Sequence, residues 1–145
     1  TEALTLSAQL GYLDSEYGDG GFSGSDGIPD EPAFSPEWTG RLAAVYSVGL
    51  PGGSTLRFGA DAGYRDDMFL SVENVAALTE GSYWLVNGFA SWTSADTHWN
   101  VAAGVRNATD ELYRTEGQEF RSVGNIQTAY YGDPRTYTVS LNYRY

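Results

Sequence analysis

The sequence has no cysteine, which excludes disulfides and thiolate metal sites and leaves the compartment open. It has one histidine, His98, in a short turn beside Trp99. A Ser–His pair or an imidazole-ligated metal would have to be built around that single ring. The stretch "GFSGS" misses the Gly-x-Ser-x-Gly elbow by one position and lies in an acidic, glycine-rich segment rather than between a strand and a helix. No enzyme is expected. No window approaches 18 consecutive apolar residues, so no transmembrane helix is available. A barrel strand, however, crosses a membrane with only about ten residues of alternating character. Cations are scarce: 8 Lys and Arg stand against 19 Asp and Glu, for a net charge of -11. Nucleic acid is therefore not an expected partner, since neutralising phosphates requires clustered Lys and Arg. A starting Met and a charged-then-apolar leader are also lacking, so the chain is expected to be processed or cut from something longer.

What is present is alternation. The 145 residues, 41% hydrophobic and 14% aromatic with 18 glycines, fit one domain or one piece of a larger one. Period two marks six candidate strands and no segment of comparable length has a helical period, so an all-β chain of about six antiparallel meander strands is predicted. The apolar faces are Leu4, Leu6, Ala8, Leu10 and Tyr12 in the first strand, and Trp38, Leu42, Ala44, Tyr46 and Val48 in the second. They are Leu56, Phe58, Ala60, Ala62 and Tyr64 in the third, and Trp99, Val101, Ala103 and Val105 in the fifth. The last strand, "TYTVSLNYRY", sets Tyr137, Val139, Leu141, Tyr143 and Tyr145 against Thr136, Thr138, Ser140, Asn142 and Arg144. The fourth, "YWLVNGFASW", is ambiguous in parity; Asn87 and Ser91 on one side assign Trp84, Val86, Ala90 and Trp92 to the apolar face.

The connections alternate too. "PGGS" and "SADT" are tight turns, whereas the segments near 14–37, 66–82 and 109–135 are long. Compact domains rarely carry three such loops. Short periplasmic turns facing long outer loops are the habit of an outer-membrane barrel. Tyr12, Trp38, Tyr64, Trp84, Trp92, Trp99 and Tyr145 at strand ends suit the headgroup region. The competing arrangement is a soluble β-sandwich, but the small inward alanines would fill such a core poorly.

Two stretches resemble a known family. "NVAAGVRNATDELYRTEG" resembles the late-barrel segment of TonB-dependent outer-membrane receptors, with the turn Asn107-Ala108-Thr109-Asp110 followed by Tyr113. "AYYGDPRTYTVSLNYRY" resembles the end of the same barrel, and "EWTGRLAAVYS" and "YWLVNGFASW" fit its preceding strands. The resemblance implies that residues 1–145 are the C-terminal segment of a 22-stranded transmembrane barrel, without plug domain or energy-coupling box. It implies a bacterial outer-membrane location and uptake of a scarce ligand of the siderophore, cobalamin or saccharide class. Implied partners are outer-membrane lipid, the rest of the barrel and the plug, the barrel-insertion machinery, and a TonB complex acting through the missing N-terminal part. Tyr143 and Tyr145 match the spaced aromatics of the insertion signal, while Val139 and Ser140 depart from its polar and glycine positions.

Loops carry binding in such scaffolds. The expected ligand-facing residues are Arg65, Asp66 and Asp67 after the third strand, and Tyr113, Arg114 and Phe120 in the last loop. The first loop carries Asp14, Glu16, Asp19, Asp26, Asp30 and Glu31, a set that could take Ca²⁺ without EF-hand spacing; a solvated acidic loop is the plainer reading, and no other cofactor is expected. Asn107-Ala108-Thr109 is read as a turn rather than a glycosylation site. An alternative function also stands: "RLAAVYSVGL" and "YWLVNGFASW" are β-prone, nearly uncharged and free of Pro, so copies of the segment could stack into an extracellular amyloid-like fibril. Repeating -11 at every ~4.8 Å layer opposes that stacking.

Overall fold

The computed structural model describes residues 3–17, 31–120, 123–124 and 126–145. Ten strands follow in order: β1 (Leu4–Tyr12), β2 (Trp38–Gly49), β3 (Thr55–Arg65), β4 (Met68–Phe69), β5 (Thr79–Glu80), β6 (Tyr83–Thr93), β7 (Trp99–Arg106), β8 (Arg114–Phe120), β9 (Ile126–Tyr131) and β10 (Thr136–Tyr143). A short 3-10 turn, Ala76–Leu78, lies between β4 and β5. The protein is all-β.

The six strands expected from alternation form one antiparallel sheet in the order β1-β2-β3-β6-β7-β10. Antiparallel neighbours need no crossover, whether joined by a short turn or a long loop, and the sheet follows chain order. The β2–β3 turn closes through Leu50 N–H donating to the Ser54 carbonyl at 2.7 Å, with Gly52 and Gly53 at φ 91° and 89°. Those left-handed positions are what glycine tolerates without steric cost. In the β6–β7 turn, Trp99 N–H donates to Ser94 Oγ at 2.9 Å and His98 N–H to Asp96 Oδ1 at 3.1 Å. The Ser94 hydroxyl, and after it His98 N–H, hold the Asp96 carboxyl below the ordinary carboxylate range by bonding its charged form.

Two differences from the sequence reading stand out. Two of the long connections are not plain loops: β4–β5 lies inside 66–82 and β8–β9 inside 109–135, each a two-stranded hairpin. The last strand stops at Tyr143, and Tyr145 is fully exposed beyond it. Arg144 N–H still donates to the His98 carbonyl at 2.8 Å, but no neighbouring residue pairs with Tyr145 in the register.

The packed core sits among the loops. Leu70, Met68 and Leu78 are buried together against Ala129 of β9. Within the six-stranded sheet, Tyr83 alone is buried, and it lies at the loop end. Leu6 and Val139 on the apolar face are 71% and 78% exposed. A sandwich would have buried that face under a second sheet; this sheet leaves it open.

Candidate functional site

Register joins the six apolar stripes into one surface. A single row runs Leu6, Ala44, Ala60, Gly88, Val105 and Tyr137 across all six strands. The next runs Leu4, Tyr46, Phe58, Ala90, Ala103 and Val139. The strand with ambiguous parity falls into line, with Trp84 opposite Tyr64 and Trp92 opposite Leu56. Aromatic pairs close the surface at both ends. Tyr12–Trp38 (4.7 Å between centroids) and Tyr64–Trp84 (5.0 Å) stand at the long-loop end, and Tyr46–Phe58 (5.4 Å) and Trp99–Tyr143 (4.6 Å) toward the short turns. Along β6, Trp84 and Trp92 are about 26 Å apart at ~3.3 Å per residue. That is the order of the ~25 Å apolar band between the aromatic girdles of a transmembrane barrel.

The opposite face is polar and mostly cationic where it is charged. Arg41, Arg57, Arg65 and Arg106 share it with one carboxylate, Asp61. Arg41 reaches Asp61 at 3.3 Å, Asn87 Nδ2 donates to the same carboxylate at 3.0 Å, and Asn107 N–H donates to Asn87 Oδ1 at 3.1 Å. This chain of contacts spans β2, β3 and β6 and reaches the end of β7. Below it, the Arg57 guanidinium sits 5.6 Å above the Phe89 ring. Near the loop end a groove of about 400 Å³ runs over Gly11 and Gly63, edged by Gln9, Arg41, Arg65 and Tyr83. Its lining combines the polar side chains of Gln9, Thr39, Arg41 and Arg65 with apolar surface from Leu10, Leu85 and the Tyr64 and Tyr83 rings.

The loops close over the end of this face. Arg114 Nε donates to Glu80 at 2.6 Å, its Nη1 donates to the Ala77 carbonyl at 3.0 Å, and its Nη2 donates to the Thr79 carbonyl. Tyr113 stacks on Tyr83 with centroids 5.0 Å apart and 27° between planes. The two stretches that carried the family resemblance meet each other. Asn107 Nδ2 donates to the Glu111 carbonyl at 2.8 Å and the Asp133 carbonyl at 3.1 Å, while its Oδ1 accepts from Glu111 N–H at 2.8 Å. Arg135 N–H donates to Asp110 Oδ1 at 2.9 Å, and its guanidinium approaches the same carboxylate at 3.6 Å. Asn107 and Asp110 both have φ near +50° to +60°, which Asn and Asp accept more readily than most residues.

The sequence-derived candidates are thus dispersed. Arg65 edges the groove, opposite Tyr83 in the register. Asp66 accepts from Tyr64 Oη at 2.9 Å and, with Asp67, faces a separate recess of about 170 Å³ shared with Asp14, Glu31 and Glu37. Tyr113 and Arg114 pack within the loop layer, and Phe120 is exposed at the end of β8. Of the six carboxylates considered for Ca²⁺, Asp19, Asp26 and Asp30 lie outside the described residues. Among the described residues no group of three or more His, Asp or Glu side chains is assembled to hold a metal ion. Glu80 and Gly132 were not singled out from sequence. Glu80 has no local signature, since its partner Arg114 is 34 residues away; Gly132 could have been suspected from its place in "YYGDPR".

Solved structures that share this architecture include two receptors. One is BauA, the ferric preacinetobactin receptor from Acinetobacter baumannii, at a TM-score of 0.75 and 22% identity, covering 99% of this chain and 20% of that one. The other is the siderophore receptor PiuA from Acinetobacter baumannii, at a TM-score of 0.76 and 24% identity, covering 100% of this chain and 20% of that one. The fold matches a segment of each of these structures. The chain spans about a fifth of the length of each receptor. No protein-family model matches the sequence, and no curated protein matches it. This fold agrees with the resemblance read from "NVAAGVRNATDELYRTEG" and "AYYGDPRTYTVSLNYRY", which supply β7 and β10 of the six-stranded sheet and parts of the β8–β9 hairpin.

Proposed function

We propose that the chain is the C-terminal part of the barrel wall of a TonB-dependent outer-membrane receptor that imports a siderophore. The observation that carries this reading is the single apolar surface, continuous across six strands and edged by aromatic pairs, on a sheet whose nearest buried core lies in the loops. In the proposed arrangement that surface meets lipid, the arginine-bearing face lines the barrel interior, and the long loops stand outside the cell. The siderophore class is preferred over cobalamin or a saccharide because both similar structures are siderophore receptors. Energy would come from a TonB complex acting on a part of the receptor beyond this segment, and insertion would use the barrel-insertion machinery.

The test is uptake of radiolabelled iron by cells given one ferric siderophore at a time, with and without the full-length protein. Loss of uptake on deletion and recovery on re-expression support the reading. Unchanged uptake across a panel of ferric siderophores, with cobalamin and saccharide uptake unchanged as well, would overturn it.

A further inference from the structure

The β4–β5 and β8–β9 hairpins belong to different connections, yet their contacts with each other are of the kind found inside a domain. Glu80 of β5 is 7% exposed, and its buried carboxylate is met by Arg114 of β8 at 2.6 Å. The other two arms of that guanidinium donate to backbone carbonyls of Ala77 and Thr79, so one side chain of the second hairpin satisfies three acceptors of the first. A lysine could not make three such bonds in a fixed plane. Apolar packing reinforces the link: Leu70 and Leu78 lie against Gly117 of β8 and Ala129 of β9. A Cβ placed on Gly117 would stand 3.0 Å from Leu70 Cβ and 3.2 Å from Leu78 Cδ2, so the glycine is what lets the hairpins approach. Exposed loops ordinarily move independently and bury little. Here the two share one core.

We infer that the hairpins form one pre-assembled body, coupled through Arg114, so that a ligand or partner touching either hairpin shifts both. The coupling is a conformational device, and it stands apart from the siderophore reading because neither its argument nor its test needs a ligand. Isolated two-stranded hairpins are marginal in water, so each half depends on the other for its order.

Hydrogen exchange on the full-length protein in detergent tests the inference. In Arg114→Ala, amide exchange at Leu70 and Leu78 and throughout β8–β9 should accelerate by a common factor of about ten or more. Acceleration confined to one hairpin would overturn the coupling. A second variant keeps the test independent of folding in Arg114→Ala. In Arg114→Lys the charge pairing with Glu80 can persist, but the planar donation to the Ala77 and Thr79 carbonyls is lost. Exchange at Leu70, at Leu78 and throughout β8–β9 should therefore still accelerate together, by a smaller common factor than in Arg114→Ala. Acceleration in one hairpin alone in Arg114→Lys would overturn the inference even where Arg114→Ala fails to fold.

Discussion

Gly132 meets the ring of Tyr113 so closely that any Cβ at that position would overlap it, and the same ring stacks on Tyr83. The backbone is tied at the same place, with Gly132 N–H donating to the Tyr113 carbonyl at 2.9 Å. Gly132→Ala should therefore force Tyr113 off Tyr83 and destabilise the loop layer by about 1–3 kcal/mol, the usual cost of overpacking. Stability measured by denaturant unfolding in detergent checks the cost. A double-mutant cycle checks the cause: on a Tyr113→Ala background the alanine at 132 should be nearly neutral. An equal cost on both backgrounds would remove Tyr113 from the explanation.

Asn107 offers a sharper case, because it is 4% exposed and its amide serves three bonds. Asn107→Asp keeps the size but cannot donate to the Glu111 and Asp133 carbonyls, and it adds a charge in a buried place. Asn107→Ala leaves those carbonyls and Glu111 N–H without their partner. Each orphaned buried group costs about 1–3 kcal/mol, so both variants should lose about 2–5 kcal/mol once partial resolvation is allowed for. Wild-type stability in both would mean that the "NATD" and "GDPR" stretches are held together by something else.

The sheet tests the face assignment at adjacent residues. Ala103 lies between Ala90 and Val139 on the apolar surface, whereas Ala102 lies between Ser91 and Ser140 on the polar one. Ala103→Arg should cost about 2–4 kcal/mol near the bilayer midplane. Ala102→Arg should cost little, because the interior face already carries arginines. Equal costs would reverse or erase the assignment.

How much of this was legible beforehand follows from the range of each signal. Period two is local, so the faces of β1, β2, β3, β7 and β10 could be read directly. Even the ambiguous β6 was settled by Asn87 and Ser91, and Asn87 indeed bonds Asp61 on the polar face. The hairpins within the loops were not legible. β4 and β5 are two residues each, too short for any periodicity, and β8 reads "RTEGQEF", polar throughout most of its length. Their order comes from a contact between Arg114 and Glu80 that nothing nearby in the chain announces. That is why the contact of Arg114, expected from its loop setting to face a ligand, with the neighbouring hairpin was not legible.

The two aromatics proposed as an insertion signal should separate in their effects. Tyr143 closes β10 and packs on Trp99 at 4.6 Å, so Tyr143→Ala should reduce both membrane insertion and the stability of inserted receptor. Tyr145 lies beyond the strand and is fully exposed, so its deletion should reduce insertion alone. Quantifying receptor in isolated outer membranes, and ligand binding per inserted molecule, distinguishes the two. Normal abundance after deletion of Tyr145 would contradict the proposed role.

The segment taken by itself poses the last test, because β1 and β10 are the outer strands of the sheet and each presents a row of backbone groups with no neighbour beyond it. Open edges beside an exposed apolar face favour pairing with other chains. We expect the isolated 145 residues to self-associate through β-strands rather than remain monomeric. If the product is a stacked fibril, a net charge of -11 repeats with every layer, and that repulsion limits growth. Assembly should then accelerate below about pH 4, where Asp and Glu protonate. Millimolar Ca²⁺ should act in the same direction at neutral pH by bridging loop carboxylates. Val45 and Val86 lie within the two uncharged, Pro-free segments, on opposite faces of the sheet. Replacing both with Lys should slow assembly whichever face stacks. Sedimentation decides the matter: a monomer that persists through acid and Ca²⁺ would exclude the fibril and leave the barrel wall as the one assembly this sequence supports.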